Sequence, residues 1–205
     1  MEKEFEEGYF EGVESQFEKG DRERFMSGHI RRGYILKLAF NPESALELGC
    51  SFGDTVDTLN DTGVDTKGVD ISKYTTKGNK NLICGDVAVV DFTKAELVYS
   101  FDLFEHLDSE QIEKVMNRLD FDSMFISIST SFQEYGDVTH IPNMDKTHIS
   151  MHTPSWWFDK FYERFSETHF INMMTRTDFE IREEKKFTNT NFMLTKKKLT
   201  ELQNL

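Results

Sequence analysis

From residue 44 to residue 129, short apolar runs alternate with amphipathic stretches. Ala45, Leu46 and Leu48 form a run of buried-strand type that carries an acid, Glu47, near its end. Comparable runs end at Gly68-Val-Asp70, at Asn81-Leu-Ile-Cys84, at Glu96-Leu-Val-Tyr-Ser100 and at Ser123-Met-Phe-Ile-Ser-Ile-Ser129. Between them lie stretches with helical spacing. The clearest is 109–119, where Ile112, Val115, Met116 and Leu119 make one stripe and Asp108 is placed to cap it. Asp54–Leu59 predicts a second helix. Thr153-Pro154 predicts the start of a third, because Pro is suited to the first helical position; Trp157, Phe158, Phe161, Tyr162 and Phe165 are expected to face inward from it. Phe25, Met26, Ile30, Tyr34, Ile35 and Leu38 give 22–39 a near-helical spacing as well. Phe179-Glu-Ile-Arg182 and Asn191-Phe-Met-Leu-Thr195 predict two closing strands. Strands alternating with helices require a parallel sheet, so the chain is expected to be one α/β domain over 1–205. Residues 1–20, charged and aromatic, read as a partly mobile arm or short helices.

The chemistry concentrates at three strand ends. After Glu47 the chain turns through Gly49, Ser51 and Gly53, where small residues let a ligand approach the backbone. The next helix points its N-terminus at this turn. Asp70 ends the second strand at a spacing that suits a ribose diol, whose two hydroxyls a carboxylate can accept. Asp86 ends the third run. A dinucleotide site would carry Gly-x-Gly-x-x-Gly, to lay a pyrophosphate on the helix N-terminus. This chain has Gly-x-Ser-x-Gly followed by a third acid, which favours a cofactor without phosphates.

Those residues resemble the motifs of the class I S-adenosylmethionine-dependent methyltransferases. Glu47, Gly49 and Gly53 match the family's first motif, with Ser51 in place of its middle glycine. The resemblance implies that Asp70 holds the ribose and Asp86 meets the adenine amino group, with Ile71, Val87 and Phe101 among the cofactor contacts. Ile30-Arg-Arg-Gly-Tyr-Ile35 is similar to a segment of ubiquinone-biosynthesis-type O-methyltransferases in which an arginine grips the cofactor carboxylate, which would be Arg31. The implied fold is Rossmann-like: seven strands, mostly parallel, helices on both faces and the last strand antiparallel.

Acceptor chemistry is read from two further segments. Asp102, Glu105 and His106 share a face if a helical turn follows strand four. They could orient an acceptor, take its proton, hold a divalent cation, or simply form a hydrogen-bonded helix start. The segment Asp145-Lys-Thr-His148 through Trp156-Trp157 resembles a pattern that folds over the acceptor in small-molecule and glycan methyltransferases. His148 is the first candidate base and His106 the second, because imidazole titrates near neutral pH. His140, His148 and His152 lack a helix to present them as ligands, and no metal is expected. The stretch 132–153, long for a connection and mixed in composition, is expected to be a lid over the acceptor.

Composition narrows the partners. The net charge of −13 over 205 residues argues against a nucleic-acid surface, which needs excess Lys and Arg. No apolar run approaches the length of a membrane helix. The acidic start lacks the basic beginning of a signal peptide. Cys50 and Cys84 read as small buried residues in a reducing, cytoplasmic setting. The expected activity is methyl transfer to O or N of a small molecule or glycan. A catalytically silent cofactor-binding module and a nicotinamide-dependent oxidoreductase remain open, as do the acceptor's identity and the oligomeric state.

Overall fold

The computed structural model describes residues 21–92, 94–131, 134–137, 145–176 and 187–197. Seven strands form one sheet in the order β3-β2-β1-β4-β5-β7-β6. The chain divides into two compact units between Val98 and Tyr99. Among the described residues no helix is long and apolar enough to cross a membrane.

The first unit holds α1 (Asp21–Phe40), β1 (Ser44–Leu48), α2 (Asp54–Asp61), β2 (Asp65–Asp70), α3 (Lys73–Thr76), β3 (Leu82–Cys84) and the start of β4 (Ala95–Phe101). β1, β2 and β3 are parallel, with Leu48 opposite Val69 and Asp70 opposite Cys84. Parallel neighbours need a crossover connection, and α2 and α3 lie in the two connections. Leu48, Val56, Leu59 and Val69 are fully buried. A side chain at Gly68 would put its Cβ 2.7 Å from Cys50 Cβ, so the turn after β1 can lie against β2 only because position 68 is bare.

Helix α1 forms as expected but turns the other way. Ile30, Tyr34, Ile35 and Leu38 are exposed, and over 27–40, the part whose side chains are described, the buried positions are Gly33, Leu36 and Phe40. A Cβ on Gly33 would lie 2.7 Å from Thr58 Cγ2 of α2. The contact face of α1 is therefore set by close approach at a missing side chain, not by its largest apolar residues. Cys50 is buried as expected, but Cys84 is exposed, because β3 is a three-residue strand at the sheet's edge.

The second unit holds the end of β4, a single 3-10 turn (Phe104–His106), α4 (Ser109–Arg118), β5 (Phe121–Ser131), α5 (Pro154–Arg164), β6 (His169–Arg176) and β7 (Phe187–Thr195). Asp108 caps α4 through the Gln111 N–H while the Gln111 side chain accepts from the Asp108 N–H, a reciprocal capping box. Thr153 caps α5 through the Trp156 N–H. β7 runs antiparallel to both β5 and β6, the reversed last strand expected from the sequence. Its partner β6 was not legible in the sequence, and the strand expected at 179–182 lies outside the described residues. Trp157, Phe161, Phe104 and Phe192 pack edge to face at the centre of this unit. Phe158 is half-buried and Tyr162 is exposed, so the inward stripe of α5 is narrower than the run of aromatics suggests.

Candidate functional site

In the first unit the turn after β1 is built on alternate left-handed residues: Gly49 (φ 72°), Ser51 (φ 47°) and Gly53 (φ 79°). Two glycines meet that demand without strain, and Ser51 carries it with a side chain. Four amide groups of the turn are engaged within the protein. Gly49 N and Cys50 N donate to Val69 O, Ser51 N to Asp70 Oδ2 and Gly53 N to Cys50 O.

Asp70 is buried, and each carboxylate oxygen accepts one backbone N–H, Oδ2 from Ser51 and Oδ1 from Ser72. Burial pushes its carboxyl above the ordinary range against these hydrogen bonds. Thr75 Oγ1 donates a third, longer bond to Oδ1, so of the about four lone-pair positions of a carboxylate one remains for a further hydroxyl, or two where Thr75 yields. Ser72 was not singled out in the sequence. Its signal is local: an Asp side chain accepting from the amide two residues on is an Asx turn. Asp86 is half-buried at the end of the third strand, and its Oδ1 accepts from Ala88 N. Ile71 is half-buried and Val87 is buried.

The field in this region is negative. Cys50 reports it, because its thiol is pushed well up by burial and then by the charges of Glu47, Asp70 and Asp57. Glu47 is buried. Asp54 and Asp57 stand in the first turn of α2, where a phosphate would otherwise sit. Arg31 is exposed on α1, and Arg32 is half-buried beside His29, whose pKa burial and then Arg32 lower to about 4.

In the second unit the 3-10 turn places Glu105 at full burial. Its Oε1 accepts from Ser129 N at 3.0 Å, and its backbone carbonyl accepts from Ile149 N and Ser150 N. Burial and then repulsion from Asp102 raise its carboxyl to about 8. His106 and His148 meet edge to face with ring centres 4.7 Å apart. His106 is lowered to about 4 by burial and then by His148, and burial lowers His148 as well. His106 Nδ1 lies 3.2 Å from Thr147 O. Phe101 packs on Phe125 and Tyr99.

The structure thus regroups the sequence candidates. Glu105 and His106 join His148, whereas Asp102 is exposed in a left-handed conformation and accepts from the Asn189 side chain. His152 is engaged elsewhere: it bonds Glu134 at 2.7 Å and stacks on Trp156. His140 lies outside the described residues. Both ends of the expected lid are tied down. Gly136 and Met151 exchange backbone hydrogen bonds, and Ser131 N donates to His152 O. Residues 132–133 and 138–144 of that stretch lie outside the described residues.

No known sequence family and no curated protein matches this chain. Solved structures do match. Magnesium protoporphyrin IX methyltransferase from Synechocystis, solved with S-adenosylhomocysteine, aligns with TM-score 0.64 at 13% identity, over 96% of this chain and 98% of that one. An S-adenosylmethionine-dependent methyltransferase from Archaeoglobus fulgidus aligns with TM-score 0.62 at 17% identity, over 91% and 99%. A [4+2]-cyclase aligns with TM-score 0.61 at 8% identity, over 82% and 81%. With the strand order, the reversed β7 and the helices around the sheet, these alignments give the chain the fold of the class I S-adenosylmethionine-dependent methyltransferases.

Proposed function

We propose that this protein is an enzyme that transfers a methyl group from S-adenosylmethionine to an oxygen or nitrogen of a small molecule or glycan. One observation carries the cofactor: an acidic turn, four of whose amides are engaged within the protein. A pyrophosphate needs free N–H donors at the turn and helix N-terminus. Here Gly49, Cys50, Ser51 and Gly53 donate within the protein, and Asp54 and Asp57 occupy the start of α2. The pyrophosphate of a dinucleotide would meet like charge there. A sulfonium and an ammonium, both cationic, suit the field of Glu47, Asp57 and Asp70.

Asp70 would take the ribose hydroxyls, Asp86 the adenine amino group, and Arg31 the carboxylate through two parallel hydrogen bonds. When bound, the cofactor supplies an electrophilic methyl on sulfur. The protein's part is to align the nucleophile and exclude water. For a hydroxyl acceptor the proton is assigned to His148, with His106 beside it. Burial lowers both imidazoles and so favours the neutral form, the one that accepts a proton.

The test is thermal melting with S-adenosylmethionine, S-adenosylhomocysteine and NAD in parallel, followed by transfer of labelled methyl to fractionated metabolites. A ligand that binds only the native state raises the melting temperature by mass action. A shift with NAD and none with the sulfonium at millimolar concentration would overturn the reading. Cofactor binding without transfer to any fraction would make the protein a silent module.

A further inference from the structure

Helix α1 leaves its largest apolar side chains uncovered. Ile30 is 40% exposed, Tyr34 52%, Ile35 62% and Leu38 79%, and they are four of the seven large apolar residues exposed among the described residues. Single exposed apolar residues are ordinary, but a contiguous row of them on one element marks an interaction surface. Ile30, Tyr34 and Leu38 recur every fourth residue, so they stand one above another on one side of the helix. At about 3.6 residues per turn, Arg31 and Ile35 border this row on one side and Lys37 on the other. The face already packed is a different one, formed by Gly33, Leu36 and Phe40.

The chain immediately before α1 carries the matching pattern. Residues 1–20, outside the described residues, contain Phe5, Tyr9, Val13 and Phe17 at the same every-fourth spacing, with Phe10 beside them. Glu4, Glu7, Glu11, Glu14 and Glu18 fall on the other side of a helix with that spacing. Seven glutamates stand against two lysines in these residues, whereas the row on α1 is bordered by Arg31 and Lys37. The charges are complementary. Two copies of the α1 row would instead set basic borders against basic borders. The lengths agree as well. Gly20 directly precedes Asp21, the first residue of α1, and a chain that reverses there runs antiparallel to the helix. At about 1.5 Å of rise per residue in both partners, Phe10 comes level with Ile30, Phe5 with Tyr34 and Ile35, and Glu2 with Lys37 and Leu38. The segment is long enough to cover the whole row.

We propose that residues 1–20 dock as an amphipathic helix, antiparallel to α1, on its Ile30-Tyr34-Leu38 row. Gly8 and Gly12 weaken such a helix in isolation, and a lone helix of this length is marginal in water, so its order depends on the row it covers. The tether keeps the segment at high local concentration beside its site, which favours it over a partner in solution. Apolar burial holds the pair, and Glu2 beside Lys37 adds a contribution that salt screens. The inference stands apart from the methyl-transfer reading: neither a cofactor nor an acceptor takes part in it.

The test is hydrogen exchange of the full-length protein, read peptide by peptide by mass spectrometry, alongside sedimentation over a range of concentrations. Amides of 5–18 are expected to exchange at least about tenfold more slowly than an unstructured chain, in a monomer. Y34E/L38E should abolish that protection. F5S/Y9S, which leaves α1 untouched, should do the same. Amides of β1 and α2 should keep their wild-type rates in both variants, which reports that the unit stays folded. Free exchange across 1–20 in the wild-type protein would overturn the proposal, as would protection that survives either variant. Protection that rises with protein concentration, together with a dimer that Y34E/L38E dissociates, would overturn it in favour of a second copy on this face.

Discussion

The backbone N–H of Ser51 donates to Asp70 Oδ2 at 2.8 Å, tying the turn after β1 to the end of β2. The bond is made by a residue whose φ of 47° disfavours any side chain. A non-glycine residue in that region costs about 1–2 kcal/mol, partly offset by the greater unfolded-state freedom of glycine. Ser51→Gly should therefore stabilise the protein by about 0.5–1 kcal/mol, since the bond uses the backbone and survives the change. Denaturant unfolding of the two proteins checks this; a destabilised variant would mean that the hydroxyl is needed.

Asp70→Ala removes the acceptor of both Ser51 N and Ser72 N along with the proposed ribose ligand. Cofactor affinity should fall by roughly 1.5–3 kcal/mol, the scale for hydrogen bonds to a charged group. Calorimetry on folded variant is the measurement. Unchanged affinity would place the ribose elsewhere.

Arg31→Ala should weaken the cofactor and leave stability untouched, because Arg31 is exposed on α1. Arg32→Ala is the control: it removes a half-buried side chain next to His29 and should act on stability. Should Arg32 prove the larger determinant of cofactor affinity, the carboxylate is gripped from the other side of the helix.

Much of this was legible because it is local. The capping box at Asp108 and Gln111, the Thr153-Pro154 start and the acid that ends β2 are each set within a few residues. The failures share a cause, which is contact with distant chain. The α1 face follows from Gly33 against Thr58, a contact invisible to hydrophobic periodicity. β6 exists by pairing with β7, and its register shifts between Phe170 and Asn172, so no clean alternation marks it. Glu105 and His148 are far apart in sequence, and their segments are brought together by bonds no local pattern announces, from Ile149 N and Ser150 N to Glu105 O and from Ser150 Oγ to Leu107 O. Asp102, closer in sequence to Glu105 and His106, looked the better partner and is not.

Glu134 binds the start of α5: it accepts from Thr153 N and Oγ1 and from His152 Nδ1. Burial raises its carboxyl, but the Thr153 and His152 hydrogen bonds outweigh this and hold it below the ordinary 4.5. A carboxylate with a lowered folded-state pKa stabilises the protein above its unfolded value, and that contribution is lost as pH falls through the folded value. Stability should thus drop on acidification below about pH 4.5, and Glu134→Gln should remove this part of the drop. The side chain is half exposed, so the effect is small and shrinks with salt. Melting curves over pH 3–7 at low salt decide it; identical acid limbs in both proteins would show that Glu134 carries none of this linkage.

His148→Ala separates a functional from a structural role. The Nδ1 of His148 makes no hydrogen bond and its Nε2 stands 3.8 Å from Asp145 Oδ2, beyond hydrogen-bond reach, so truncation removes no side-chain hydrogen bond from a protein partner. The segment it sits on is held by main-chain bonds from Ile149 and Ser150 to Glu105, which do not involve the imidazole. The stability cost should accordingly be modest, on the order of 1 kcal/mol for lost packing against His106. If His148 handles the acceptor's proton, methyl transfer should fall by about 10²-fold or more while cofactor affinity stays within a factor of about two. A structural histidine behaves differently: stability and transfer fall together, and hydrogen exchange at Ile149 and Ser150 rises to match. Measuring turnover at saturating cofactor, cofactor affinity and exchange at those two amides in one variant is enough to tell the two apart. Parallel loss in all three would remove His148 from the reacting centre and leave Glu105 and His106 to explain the acceptor chemistry without it.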